Sequence, residues 1–220
     1  MATNERNLAS VDAWDYWYEK KLGTVEPEIV TLLKLLRREH LRRVLDVGCG
    51  IGRHIIYLAQ HGIEAHGFDI SEKALSRANA LLRKHGLEAN LSIGDMFKPF
   101  PYDDQFFDAV IATRTIHHGR LKDVLRVAAE MDRVLAKKGY VFIQTSAWLP
   151  GERIENPLAV EVEPRTLVWP EGEEAYVPHH FFTKEELLST FKNYRIVSLH
   201  SRSDHYDGWC ILAKKTSRRK

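Results

Sequence analysis

One stretch constrains this chain more than any other: Val44-Leu45-Asp46-Val47-Gly48-Cys49-Gly50-Ile51-Gly52. A short apolar run rich in β-branched residues leads into a loop with glycine at every second position. The run predicts a buried strand. Past the loop, Ile55, Ile56, Leu58 and Ala59 recur at helical spacing. Strand, glycine loop and helix make a nucleotide-type binding turn. Glycine admits positive φ and lets the backbone approach a ligand with no Cβ between them, and a helix start presents unpaired N–H groups. The G-x-G-x-G spacing departs from the G-x-G-x-x-G of a dinucleotide-binding turn. Asp46 lies two residues ahead of the first glycine.

Three further segments follow at the intervals of an alternating βα array. Glu64 to Asp69 predicts a second strand that ends in an acid, with Ser71 as N-cap of a helix running to about His85. Asp69 lies 17 residues after Gly52, room for one crossover helix and one strand. A carboxylate there accepts hydrogen bonds from both ribose hydroxyls of a nucleoside; the plainer role is a helix cap or a surface acid. Leu91 to Ile93 predicts a third strand, followed by Asp95 and Met96, or by an ordinary turn before Pro99-Phe100-Pro101. Phe106 to Thr113 predicts a buried fourth strand, and Arg114-Thr115-Ile116-His117-His118 follows it. Val124 to Leu135 has helical periodicity. Lys137-Lys138 reads as its basic last turn, Gly139 as its C′ residue, and Tyr140 to Gln144 as strand five.

Together these segments resemble the class I S-adenosylmethionine-dependent methyltransferases of the type 11 kind. The glycine loop matches the first motif, and Phe107-Asp108-Ala109-Val110 and Arg133-Val134-Leu135-Ala136-Lys137-Lys138-Gly139 are similar to two others. The resemblance covers residues 40–146 continuously. It implies an α/β fold with a doubly wound, seven-stranded, mainly parallel sheet closed by an antiparallel C-terminal hairpin. It implies S-adenosylmethionine as cofactor. Asp46, Gly48, Cys49 and Gly50 would form the loop side of its site. Asp69 and Ile70 would meet the ribose, and Asp95 and the Met96 N–H the adenine. Arg53, Arg114, Trp14 and Tyr18 would meet the methionine end. Arg53 has helix capping as an alternative, and the Trp14-Trp17-Tyr18 face has packing against the core. Cys49 is expected simply to pack beneath the loop.

Residues 181–220 resume the regular pattern. Thr183 caps a short helix, and Tyr194 to Leu199 and Trp209 to Ala213 predict strands joined by a turn too short for anything but an antiparallel pair. The 220 residues thus read as one domain with an N-terminal helical lid over residues 1–40 and a substrate-side insertion over residues 147–180. No run of 18 apolar residues predicts a membrane span, and the N-terminus lacks an apolar signal core. The two cysteines, Cys49 and Cys210, make neither a metal motif nor a disulfide framework. A cytoplasmic protein with no membrane partner is expected; the oligomeric state stays open.

Methyl transfer is an in-line displacement whose leaving group is a neutral thioether, so sparse machinery is expected: alignment of acceptor and methyl, and a base only where the acceptor carries a firmly held proton. His117 and His118 are the base candidates, with pocket shaping as the alternative. Arg114 could also meet an anionic substrate. His179-His180 lacks the third close-spaced ligand of a catalytic zinc site, so no metal is assigned. Strand four lacks the Asn/Asp-Pro-Pro-aromatic motif of amide and exocyclic-amine methylation. The net charge is only +2. The glutamates of the insertion (Glu152, Glu155, Glu161, Glu163, Glu171, Glu173, Glu174) argue against a phosphate-rich surface, or serve to solvate the loop. A small-molecule acceptor beneath an aromatic lid (Trp14, Trp17, Tyr18, Trp169, Tyr176) is expected. The alternatives are a tRNA of the wobble-uridine type, supported by the basic tail from Lys214 to Lys220, and a catalytically silent partner subunit.

Overall fold

A computed structural model describes residues 23–148, 158–172, 174–202 and 208–216. The element order is α1 (Pro27–Arg38), β1 (Arg43–Val47), α2 (Arg53–Gln60), β2 (Glu64–Asp69), α3 (Glu72–Lys84), β3 (Asn90–Ile93), β4 (Phe107–Thr113), α4 (Leu121–Val134), β5 (Leu135–Ser146), β6 (Val160–Glu163), β7 (Thr166–Val168), β8 (His179–His180), α5 (Lys184–Thr190), β9 (Tyr194–Arg202) and β10 (Gly208–Lys215). Seven strands form one sheet in the order β3-β2-β1-β4-β5-β10-β9. The first five pair in parallel, and β10 runs antiparallel to both its neighbours. This is the expected doubly wound sheet with its reversed C-terminal strand.

Period-2 side-chain alternation explains why both faces are apolar. Leu45, Val47, Val110, Ala112, Val141 and Ile143 face α4 and α5, where Val124, Val127, Met131 and Leu187 meet them. Val44, Ala109, Ile111, Tyr140 and Phe142 face the other way, onto α1 to α3. In α1, Ile29, Leu32, Leu33 and Leu36 recur at helical spacing and are at most 3% exposed. Pro27 sits at the start of that helix, where its missing N–H costs nothing. Ser71 Oγ accepts the Ala74 N–H at 3.0 Å and Thr183 Oγ1 the Glu186 N–H at 3.1 Å, so both expected caps are present.

Three expectations need correction. Lys137 and Lys138 are not the last turn of a helix. The helix α4 stops at Val134, and both lysines lie in β5, where Lys138 takes φ 64°. The basic residue of the last turn is Arg133, which bridges Glu130 and Asp104. The insertion is not a plain loop: β6, β7 and β8 form a three-stranded antiparallel sheet. Lys214 and Lys215 are not part of the basic tail expected from Lys214 to Lys220. They belong to β10, and their ammonium groups meet Glu39 and Asp132. Residues 217–220, the N-terminal aromatic cluster, and Glu152, Glu155 and Glu173 lie outside the described residues.

Candidate active site

From β1 the array steps outward to β2 and β3, then crosses back to β4 on the other side of β1. The carboxyl ends of β1 and β4 are therefore the switch point at which open α/β sheets bind ligands. The glycine loop leaves β1 there. Gly48, Gly50 and Gly52 all take positive φ, at 65°, 54° and 78°. A Cβ on Gly48 would stand 2.4 Å from Thr115 Cγ2, in the turn after β4. The loop and that turn can approach this closely only because the position is glycine. Gly48→Ala is expected to cost about 1–2 kcal/mol from the left-handed backbone alone, with the clash added. Ligand affinity at the loop should drop at least tenfold in calorimetric titration, and an unchanged affinity and melting temperature would refute this account of the loop.

Below the loop, Cys49 is buried, and a Cβ on Gly67 of β2 would come within 2.9 Å of its sulfur. Burial and the nearby Asp69 and Asp46 carboxylates hold its thiol well above the ordinary range. Cys49 packs, as expected. Asp69 is 4% exposed at the end of β2. Its Oδ2 accepts the Gly50 N–H at 2.8 Å and its Oδ1 the Ser71 N–H at 2.9 Å. It thereby fixes both the glycine loop and the start of α3, with Ile70 between them. The Gly94 N–H donates to the Asp69 carbonyl at 3.0 Å, which brings Asp95 and Met96 to the same end of the sheet. Asp95 Oδ1 accepts the Phe97 N–H at 2.8 Å, so this acid also organises the turn that was its plainer reading.

Asp46 is 1% exposed, and its Oδ1 has no hydrogen-bond partner among the described residues. Its Oδ2 lies 3.7 Å from His54 Nδ1. A buried carboxylate oxygen without a partner is costly unless a ligand donates to it. Together with the cradle that a Cβ at Gly48 would fill, it fits the ammonium of an amino-acid-bearing cofactor. Arg53 behaves otherwise than expected of a carboxylate receptor. Its guanidinium lies 3.2 Å from Glu26 and donates to the Thr24 carbonyl at 3.2 Å. Burial and the Arg114 charge pull its pKa down. Arg53 thus anchors the segment leading into α1 beside the site. Arg114 is exposed in the turn after β4, at φ 54°, and its N–H donates to the Gln144 carbonyl at 2.8 Å.

That turn carries His117 and His118, 1% and 8% exposed, with ring centroids 4.0 Å apart. The insertion sheet closes on them. The His180 N–H donates to the His117 carbonyl at 2.8 Å, and Glu163 Oε1 accepts the Leu121 N–H at 2.6 Å. His179 then packs 4.8 Å from the His118 ring and 4.8 Å from Trp169. Burial drives the His117 pKa well below its ordinary value and that of His118 to about 3, with the neighbouring imidazoles adding to the shift. Both rings are neutral at neutral pH and are weak proton acceptors, which favours orienting roles over general-base work. Tyr176, expected in the lid, is 68% exposed. The acidity of the insertion is largely internal: Glu161 accepts the Arg165 N–H, Glu163 meets Arg120, and Glu174 meets His179. Sequence reasoning missed Gln144 and Glu174. Gln144 acts through its backbone carbonyl, which no side-chain pattern signals, and Glu174 stood among the other glutamates of the insertion. Trp14 and Tyr18 lie outside the described residues.

Residues 44–139 match the family model described as a methyltransferase domain. Over that segment, 96 of its 220 residues, the chain is similar to a methyltransferase domain. Ajmaline N-methyltransferase of Rauvolfia serpentina is 36% identical over 105 residues, covering 46% of this chain and 35% of that protein. Ribosomal RNA small subunit methyltransferase C of Alcanivorax borkumensis is 30% identical over 134 residues, 58% of this chain and 40% of its own length. The chain thus spans less than half the length of these curated relatives. An S-adenosylmethionine-dependent methyltransferase of Methanosarcina mazei shares the fold, with a TM-score of 0.73 at 21% identity over 88% of this chain and 99% of that one. The methyltransferase match ends at Gly139, so β6 to β8, with Glu174 and His179, fall outside it.

Proposed function

We propose that this chain transfers a methyl group from S-adenosylmethionine to a small-molecule acceptor held beneath the β6–β8 cap. The observation that carries the reading is the convergence of Asp46, the glycine loop, Asp69 and Asp95 at adjacent strand ends. The cofactor supplies an electrophilic methyl on a sulfonium whose departure needs no acid. The chain's own residues bind and align. Asp69, buried at the end of β2, takes the ribose hydroxyls. Asp95 and the Met96 N–H take the base, with Ile70 and Cys49 beside it. The Asp46 oxygen takes the ammonium and Arg114 the carboxylate. His117 and His118 orient the acceptor from the turn after β4.

The two named relatives act, by their names, on different classes of acceptor, so the acceptor is argued from the cap. Its sheet bonds directly to the His117–His118 turn and brings Trp169 beside His179, as an enclosed and partly apolar pocket requires. RNA would need several free cations, yet Lys214 and Lys215 are tied to Glu39 and Asp132. Among the described residues no helix is long and apolar enough to cross a membrane. Two buried free thiols suit the reducing cytoplasm.

Calorimetric titration should show saturable binding of S-adenosylmethionine and none of NAD. With labelled cofactor, counts should enter a metabolite fraction. Preferential binding of NAD would overturn the family of chemistry. Counts that enter tRNA and survive nucleoside digestion would replace the acceptor. Tight cofactor binding without turnover, together with co-purification of a second methyltransferase chain, would make this a silent subunit.

A further inference from the structure

Three histidines from two separate segments meet at the mouth of the crevice. His117 and His118 come from the turn after β4, His179 from β8, and each offers a ring nitrogen within 4.8 Å of the other two. All three are buried, at 1%, 8% and 4% exposure. Glu174 adds a carboxylate oxygen 2.6 Å from His179 Nε2. We infer that His117, His118, His179 and Glu174 form a binding site for one divalent transition-metal ion, which clips the β6–β8 cap onto the His117–His118 turn.

The chemistry of the donors selects the ion class. Neutral imidazole is the common ligand of zinc, copper, nickel and iron, whereas magnesium and calcium prefer oxygen. Ligand atoms that share an ion at about 2.1 Å stand roughly 3.0–3.4 Å apart. The three nitrogens must therefore draw together by no more than about 1.4–1.8 Å, within reach of side-chain rotation. The rings are already oriented by the outer contacts that metal-bound histidines typically make. His118 Nδ1 faces the Thr115 carbonyl at 2.9 Å, and His179 Nδ1 faces the Val177 carbonyl at 2.9 Å. A carbonyl opposite Nδ1 fixes the N–H there and presents the Nε2 lone pair to a ligand. At His179, Nδ1 faces the Val177 carbonyl at 2.9 Å and Nε2 the Glu174 carboxylate at 2.6 Å. A cation held between that ring and that carboxylate would have both as ligands.

A purely structural cluster predicts a different response. Three buried imidazoles kept only for packing would bind no ion with defined stoichiometry. The sequence concealed the site because His118 and His179 are 61 residues apart, one in the turn after β4 and the other in β8. A second group of donors, Glu28, His200 and Cys210, lies elsewhere and serves as an internal control.

The test uses the full chain, freed of metal by chelator dialysis and titrated with Zn²⁺ and with Co²⁺. Calorimetry should show one ion per chain, and cobalt should give the ligand-field absorption of a low-symmetry nitrogen site. His179→Ala and Glu174→Gln should each weaken binding at least tenfold, while His200→Ala should leave it unchanged. Glu174→Gln keeps side-chain size at a partly exposed position, so it remains informative if His179→Ala fails to fold. No saturable binding of either ion would overturn the assignment. So would binding that His200→Ala abolishes, or binding indifferent to both cluster variants. S-adenosylmethionine affinity, measured in parallel, separates failure of this site from failure of the methyl-transfer reading.

Discussion

Asp69→Ala is expected to weaken S-adenosylmethionine binding about a hundredfold and to lower stability by about 2–6 kcal/mol. The two effects come from two roles of one carboxylate. In the structure Oδ2 holds the Gly50 N–H and Oδ1 the Ser71 N–H, at 2.8 and 2.9 Å, in a site 4% exposed. Removing the side chain leaves two backbone donors without partners, at about 1–3 kcal/mol each when buried. It also loosens the glycine loop, which depends on that clip to keep Gly50 in position. The same carboxylate is the one proposed to hold the ribose. Two charge-assisted bonds, each worth about 1.5 kcal/mol, correspond to the hundredfold loss. Asp69→Asn retains one good acceptor and should fall between. Calorimetric affinity and thermal unfolding, measured on the same samples, separate the two roles. A melting temperature that drops while affinity holds would reduce Asp69 to a clip for the loop and remove the ribose assignment.

Much of this was legible in the chain because it is local. The strand from Val44 to Val47, the acid closing β2, the Ser71 and Thr183 caps and the C-terminal hairpin are each specified by residues within a few positions of one another. What escaped reading depends on contacts across the fold. The β8 strand is two residues long, below any period a sequence can display, and exists because Thr166 and Leu167 pair with it. The glutamates of the insertion look like free surface charge until the fold pairs Glu161 and Glu174 with Arg165 and His179 of the same insertion and brings Arg120 from outside it to Glu163. Arg53 follows the glycine loop, as a ligand-binding arginine should, yet a glutamate 27 residues upstream claims it. Lys137 and Lys138 carry a helix-end signature. The parallel pairing of β5 with β4 overrides it, because Leu135 already pairs with Phe107 and pulls the chain straight. Local propensity yields there to tertiary pairing, as it does when the two conflict elsewhere.

The centre of that pairing gives the largest expected loss of stability. Phe142 lies in β5, opposite Ile111 of β4 and Leu212 of β10, and is 0% exposed. Its ring fills the face covered by α1, in one cluster with Ile29, Leu32 and Leu36. Phe142→Ala removes a large buried ring where paired strands on both sides prevent collapse, so the cost should approach the upper part of the range for such changes, about 3–5 kcal/mol. For a domain of this size that is a fall of roughly 6–20 °C in melting temperature. Leu125→Ala on α4, where the side chain is 41% exposed, should stay within about 0.5 kcal/mol. Thermal unfolding of the two variants decides the matter, and a Phe142→Ala loss no larger than that of Leu125→Ala would refute the central placement of β5. The site should feel the same change, because Gln144 lies two residues further along β5 and its carbonyl holds the Arg114 N–H at 2.8 Å. A strand that shifts at Phe142 moves the turn bearing His117 and His118. Cofactor affinity in Phe142→Ala should therefore fall along with stability, whereas in Leu125→Ala neither should move.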